Sequence, residues 1–93
     1  MTQIEINVNS PLSAEMHNLF HKNIVFLRKK RKLTQEKLAL ELNITRSRLS
    51  SWEENRASPQ LMTLVKVSQY FDVSMLDLVT KDLENMPSFT LSQ

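Results

Sequence analysis

A chain of 93 residues that contains no glycine must make every left-handed backbone turn with a residue that carries a Cβ. Asparagine is the next best choice, because its short polar side chain tolerates that conformation. Asn43 and Asn55 stand where such turns are needed. The stretch Leu33 to Asn55, LTQEKLALELNITRSRLSSWEEN, reads as two short amphipathic helices joined by a tight turn. Thr34 is placed to cap the first of them. Lys37 occupies the position where a capping box would need Glu, so the box is absent. Leu38 and Leu42 form the inner face of that helix, with the small Ala39 beside them. Asn43 makes the turn, Thr45 caps the next helix, and Leu49, Trp52 and Glu53 share its inner side. Asn55 supplies the second left-handed exit.

Helical periodicity extends from Leu12 to about Leu83, without internal repeats or low-complexity tracts. A first helix opens at Ser13 or Pro11–Leu12 and runs through HNLFHKNIVFLRKKRK. Phe20, Ile24, Leu27 and Arg31 lie on one of its stripes; Lys29, Lys30 and Lys32 lie elsewhere around the axis. Ser58–Pro59, a cap followed by proline at the first helical position, opens a fourth helix. The expected inner face of that helix is Leu61, Leu64, Val67, Ser68 and Phe71. Ser74 caps a short fifth helix carrying Met75, Leu78 and Val79. The ends differ in pattern. Ile4, Ile6 and Val8 alternate with polar residues at the period of a half-buried strand, and Phe89 and Leu91 repeat that spacing. A lone strand needs a partner in water, and disordered arms are the favoured alternative. The expected organisation is an arm over 1–11, strand or disordered, a helical domain over 12–83 and a tail over 84–93.

This length suits one domain with one modest core. The absence of cysteine excludes disulfides and thiolate zinc sites. The N-terminus lacks the basic and apolar regions of a signal peptide, and no apolar stretch is long enough for a membrane span. The expectation is a soluble, cytoplasmic chain. Its net charge of +2 hides an asymmetry. Lys22 to Arg56 holds ten Lys/Arg and four Glu, a local charge of +6, whereas residues 1–21 and 57–93 each carry −2. A basic middle between acidic ends suits a polyanion-binding surface confined to one region, and a solvated helix face explains it about equally well.

The helix that begins after Thr45 weighs against the solvated reading. With Leu49 at zero on a wheel of about 100° per residue, Thr45, Trp52 and Glu53 fall within about 60° of it. Ser47, Ser50, Ser51 and Glu54 lie roughly opposite, and Arg46 and Arg48 flank the two sides. A solvated face would more often show Glu, Lys and Gln. Small hydroxyls let a helix approach base edges closely, and arginine grips guanine O6/N7 with two bonds.

At these residues the chain resembles the phage repressor and Cro-like (Xre-type) helix-turn-helix family. The match comprises L-T-Q-E-x-L-A from Leu33 to Ala39, then Leu42, Ile44, Leu49, Trp52–Glu53, Pro59, Leu64 and Val73–Ser74, covering roughly Phe20 to Thr80. The resemblance implies an all-α, five-helix, lambda-repressor-like domain whose third helix enters the major groove of double-stranded DNA. It implies base contacts from Arg46, Ser47 and Ser51, with Ser50 a weaker candidate. Gln35 corresponds to a phosphate contact supported by its helix N-terminus. Asn55 and Arg56 correspond to the loop that holds the DNA backbone, with Arg48 and Lys30 as further phosphate candidates. Arg28 and Glu53 match a pair that in several relatives forms an ion bridge between the first and third helices, a matter of orientation more than stability. Three departures stand out. Asn43 and Asn55 replace the usual glycines. Glu54 is acidic near the expected phosphate path, so the exit tilts away or Glu54 pairs with Arg56. The run Arg28–Lys32 is rich in charge but points several ways, which suits one or two contacts rather than five.

Other signals carry less. His17 and His21, four apart, have the spacing of a metal pair but no third ligand, and Glu15 is poorly placed for one. Neither a catalytic serine order nor a glycine loop for a nucleotide is present, so no enzymatic activity, cofactor or small-molecule ligand is expected. Trp52, in phase with Leu49, reads as a core anchor rather than a stacking platform. The leading expectation is a sequence-specific transcription regulator, a repressor bound as a homodimer to an inverted repeat. The dimer would use the fifth helix and the terminal arms, with Met62, Tyr70, Leu76, Met86 and Phe89 as spare apolar surface. The alternative is an interaction module: an antitoxin that masks a toxin, or the DNA-binding end of a longer repressor. RNA binding is weaker still, for want of exposed aromatics.

Overall fold

The structure, a computed structural model, describes residues 19–86. The expectations for the 1–11 arm, the opening of the first helix, His17 and the strand-like Phe89–Leu91 fall outside those residues. The described chain forms α1 (Leu19–Lys30), α2 (Gln35–Leu42), α3 (Arg46–Glu53), α4 (Leu61–Phe71) and α5 (Met75–Thr80), followed by a 3₁₀ turn, Leu83–Asn85. Three helices start where a hydroxyl accepts an otherwise orphaned backbone N–H. Thr34 Oγ1 accepts from Lys37 N at 3.0 Å, Thr45 Oγ1 from Arg48 N at 3.1 Å, and Ser74 Oγ from Asp77 N at 3.0 Å. Each such cap contributes about 1 kcal/mol.

The stops share one geometry. Lys32, Asn43, Asn55 and Asp72 all take positive φ, between 57° and 61°. In each case the next residue's N–H reaches the carbonyl five positions back: Leu33 to Arg28 at 3.0 Å, Ile44 to Ala39 at 3.0 Å, Arg56 to Ser51 at 2.8 Å and Val73 to Ser68 at 3.1 Å. This is the Schellman closure, in which the residue after the left-handed one commonly packs back onto the helix. Leu33, Ile44 and Val73 do so and join the core. Arg56 remains exposed. The two asparagines are the turn makers that a glycine-free chain calls for; Lys32 and Asp72 were not anticipated. Asp72 can still bond locally, whereas Lys32 adopts the conformation because Leu33 must reach the core.

The core gathers Phe20, Ile24 and Leu27 of α1, Leu38, Ala39 and Leu42 of α2, Leu49 and Trp52 of α3, Val67 and Phe71 of α4, with Val73, Leu78 and Leu83 closing it. Trp52 meets Phe20 edge-on with ring centres 5.9 Å apart, a favourable aromatic geometry. Arg31, at the end of the α1 stripe, lays its guanidinium 4.9 Å from the Phe71 ring centre and 5.3 Å from that of Tyr70. Lys66 Nζ donates to the Leu42 carbonyl at 2.8 Å, satisfying the C-terminus of α2 with a cation.

Four expectations need correction. Ser58–Pro59 does not open α4: Gln60 is its N-cap, still extended at φ −71° and ψ 164°, and makes no side-chain cap bond. A proline marks where a helix is allowed to start, but an earlier turn would have no core to cover, since Leu61 itself is 66% exposed. Leu61 therefore leaves the expected inner face, while Val67 and Phe71 keep theirs. On α5, Met75 lies at the surface and Leu78 is fully buried.

The helical pattern also stops at Thr80 rather than continuing to Leu83. Asn23, fully buried on α1, explains why. Its Nδ2 donates to the carbonyls of Leu78 at 2.8 Å and Lys81 at 2.7 Å. Its Oδ1 accepts from Leu83 N at 3.2 Å. One side chain thus satisfies the groups exposed where α5 ends, and Leu83 turns into the core. Lastly, Tyr70 and Met86 are packed against the core rather than spare, while Met62 and Leu76 are exposed at 73% and 61%.

Candidate nucleic-acid interface

The short α3 divides by phase. Leu49 and Trp52 are buried, Arg46, Ser47 and Arg48 are exposed, and Ser50 and Ser51 are half-buried on the flank. Arg46, Ser47 and Ser50 line a surface hollow of about 450 Å³ together with Arg56. The left-handed Asn55 brings Arg56 back beside the helix it has just left. Two guanidiniums and two hydroxyls therefore converge on one concavity, the donor set that suits a phosphate or the edge of a guanine. Ser51, not among the lining residues, donates its hydroxyl to the Arg48 carbonyl at 2.8 Å.

Glu54 bridges two residues of that hollow. Its Oε1 accepts from Arg56 Nε at 2.8 Å, and its Oε2 accepts from Ser50 Oγ at 3.1 Å. The Arg56 guanidinium, with help from the Ser50 hydroxyl, holds the Glu54 carboxyl below the usual carboxylate range. Of the two geometries open to this residue, the structure adopts the pairing.

Behind α3 lies a second carboxylate. Glu53 Oε2 accepts from Arg28 Nε at 2.6 Å, and its Oε1 accepts from Arg28 Nη2 at 2.9 Å and from Gln35 Nε2 at 2.9 Å. Arg28 Nη1 also donates to the Leu33 carbonyl at 2.9 Å. The Arg28 and Glu53 side chains are only 12% and 6% exposed. One carboxylate thus ties α1, the start of α2 and the end of α3 together. The family resemblance implies a phosphate contact for Gln35, and the structure engages its side-chain amide with Glu53. No spacing signal reveals that bond, because the tight turn at Asn43 creates the approach.

The remaining candidates are scattered more widely. Asn55 is exposed in its left-handed turn. Lys30 is half-buried, its Nζ 6.0 Å from the Phe26 ring centre. It lines another hollow, of about 630 Å³, with Lys22 and Lys29. Lys30 and Arg46 thus line two different hollows. Among the described residues no group of three or more His, Cys, Asp or Glu is placed to hold a metal ion, and no helix is long and apolar enough to cross a membrane.

A helix-turn-helix family model matches residues 26–78, more than half of the chain. The chain belongs to the helix-turn-helix family. The match runs from the second half of α1 to Leu78 and so contains the whole α2–turn–α3 unit. Similar proteins include the uncharacterized HTH-type transcriptional regulator YqaE of Bacillus subtilis, 37% identical over 71 residues, which are 76% of this chain and 60% of that protein. The uncharacterized HTH-type transcriptional regulator y4dJ of Sinorhizobium fredii is 35% identical over 71% of this chain and 86% of its own length. The HTH-type transcriptional activator BcrR of Enterococcus faecalis is 33% identical over 66% of this chain. This helix-turn-helix chain spans 60% of YqaE and 30% of BcrR. No solved structure matches it significantly.

Proposed function

We propose that the chain is a sequence-specific DNA-binding regulator of transcription, a repressor that binds an inverted-repeat operator as a homodimer with α3 in the major groove. The carrying observation is the convergence of Arg46, Ser47, Ser50 and Arg56 on one hollow beside a helix whose opposite face is buried. Arg46, Ser47 and Ser51 read bases, Ser50 less directly. Since the Ser51 hydroxyl hydrogen goes to Arg48, Ser51 meets a base as an acceptor. Arg48, Asn55, Arg56 and Lys30 hold the DNA backbone. Gln35 contributes through its main-chain N–H at the start of α2, where the helix dipole favours an anion, because its amide is bonded to Glu53. The exposed Met62 and Leu76 offer apolar surface to a second copy. Half-sites then lie about 34 Å apart, one turn of DNA. On this reading the protein works at the nucleoid.

Selection of binding sites from random duplexes tests the reading, with Arg46→Ala as the probe. The substitution is expected to cost about 1–3 kcal/mol on the selected site and to relax preference at one base pair. Equal losses on selected and random duplexes would remove Arg46 as a base reader. Sedimentation of the complex tests the dimer, and a monomer on one asymmetric site overturns it. Because BcrR is named an activator, a reporter under the selected site tests the sign; expression that rises with the protein refutes repression.

A further inference from the structure

Of the four Schellman exits, the one after α3 alone places a charged residue where the others place an apolar one. Leu33, Ile44 and Val73 follow their left-handed residues into the core, while Arg56 follows Asn55 onto the surface. The core therefore does not require residue 56 to be arginine. Nor does stability require its partner. The Arg56 and Glu54 side chains are 61% and 57% exposed, and a pair so exposed contributes little to folding. Yet the two are held at 2.8 Å, and the same carboxylate takes the Ser50 hydroxyl at 3.1 Å. Both groups that Glu54 engages line the hollow on the outer face of α3.

A guanidinium binds carboxylate and phosphate with the same donor geometry. We propose that Glu54 is an internal stand-in for a DNA phosphate: in the free protein it masks Arg56 and Ser50, and on a duplex a backbone phosphate displaces it from Arg56. The inference rests on the DNA-binding reading above. It makes Glu54 a determinant of affinity that acts through Arg56. A loosely apposed duplex meets a neutral pair in place of a bare cation, so the basic surface is less adhesive toward polyanions in general.

The test is a two-by-two cycle of Glu54→Gln and Arg56→Gln, measured on a selected and a random duplex across a salt series. In the wild-type background, E54Q should tighten binding about two- to fivefold, since no exposed pair must be broken before Arg56 meets a phosphate. The slope of log K against log salt should stay nearly the same, since Arg56 meets the same phosphate in both proteins; a slope steeper by about 0.9, the equivalent of one phosphate, would mean that wild-type Arg56 stays masked on the duplex and would overturn the displacement. In the R56Q background E54Q should change neither quantity appreciably. An equal gain in both backgrounds overturns the proposal, because Glu54 would then act only by general repulsion. A loss confined to the selected duplex, with preference relaxed at one base pair, also overturns it by making Glu54 a base reader. The Arg56 Nε–H resonance gives a readout without DNA: it should be protected from exchange in the free wild type and exposed in E54Q, and an unprotected signal in the wild type refutes the mask. Failure of the wild type to bind any duplex would instead remove the DNA-binding reading, which the resonance does not depend on.

Discussion

Replacing Arg28 by methionine isolates what the buried carboxylate does. Glu53 is 6% exposed and accepts three hydrogen bonds, two of them from Arg28. Arg28→Met leaves the carboxylate with Gln35 alone, on a side chain largely withdrawn from solvent at the wall of the hollow that Lys29 and Lys30 also line. It also removes the donor to the Leu33 carbonyl. Stripping one partner from a buried pair costs about 3–5 kcal/mol, because the other charge stays desolvated and uncompensated. For a domain of this size each kcal/mol moves Tm by roughly 4–8 °C, so the variant should melt at least about 12 °C lower. Urea denaturation followed by the single tryptophan, Trp52, reads the same loss as a lower midpoint. The companion variant Arg28→Met/Glu53→Leu removes both charges and should be about as stable as the wild type, since apolar residues of similar volume commonly match or exceed a buried ion pair. What the double variant should lose is selectivity: α3 keeps Leu49 and Trp52 in the core but has no hydrogen-bonded tie to α1 and α2. A single variant that costs under about 1 kcal/mol would show that water screens the pair. A double variant with wild-type selectivity would show that packing alone orients α3. Either result refutes the reasoning.

Asn23→Ala should destabilise by about 2–4 kcal/mol, as it leaves the Leu78 and Lys81 carbonyls and the Leu83 N–H without their partner; a urea midpoint within error of wild type would mean that water replaces the side chain. Lys32→Gly should stabilise by about 1 kcal/mol and Asn43→Gly by less, because both hold φ 59° but only asparagine is suited to it. Thermal melting compares them, and equal shifts would argue against a strain at Lys32. The Asp82 carboxyl is held below the usual carboxylate range by Asn85 and by Lys22, whose Nζ lies at 3.0 Å. A depressed folded value means that its contribution is present above the ordinary carboxylate pKa and is lost as pH falls through the folded value. The Tm gap between wild type and Asp82→Asn should therefore shrink on acidification from neutral pH, and a constant gap would refute the linkage.

Much of the fold was legible because its signals are local. A hydroxyl three residues before the N–H it caps, an asparagine at a helix end and an apolar residue every third or fourth position act within one or two turns of chain. Thr34, Thr45, Ser74, Asn43 and Asn55 all behave as that logic requires. The outward face of α3 was legible for the same reason, since the wheel separates Leu49 and Trp52 from Arg46 and Ser47. The start of α4 failed as a local signal: Ser58–Pro59 permits a helix, but whether one forms there depends on a surface to cover.

The sequence by itself determined the all-α class, the short paired helices, the basic middle and which face of α3 turns outward. Only the tertiary structure decided how that face is held and what it holds in turn. Asn23 reaches residues 55 to 60 positions away, and Arg28 meets Glu53 across 25. Gln35 bonds to a carboxylate 18 positions on rather than being left for DNA. Such contacts follow from how the helices pack, which no spacing encodes. Even Glu54 and Arg56, two apart in the chain, needed the left-handed turn at Asn55 before their pairing beside Ser50 could be chosen over a tilt away. A charge reads the same in sequence whether it is masked or bare, and the difference is a matter of where the backbone brings its partner.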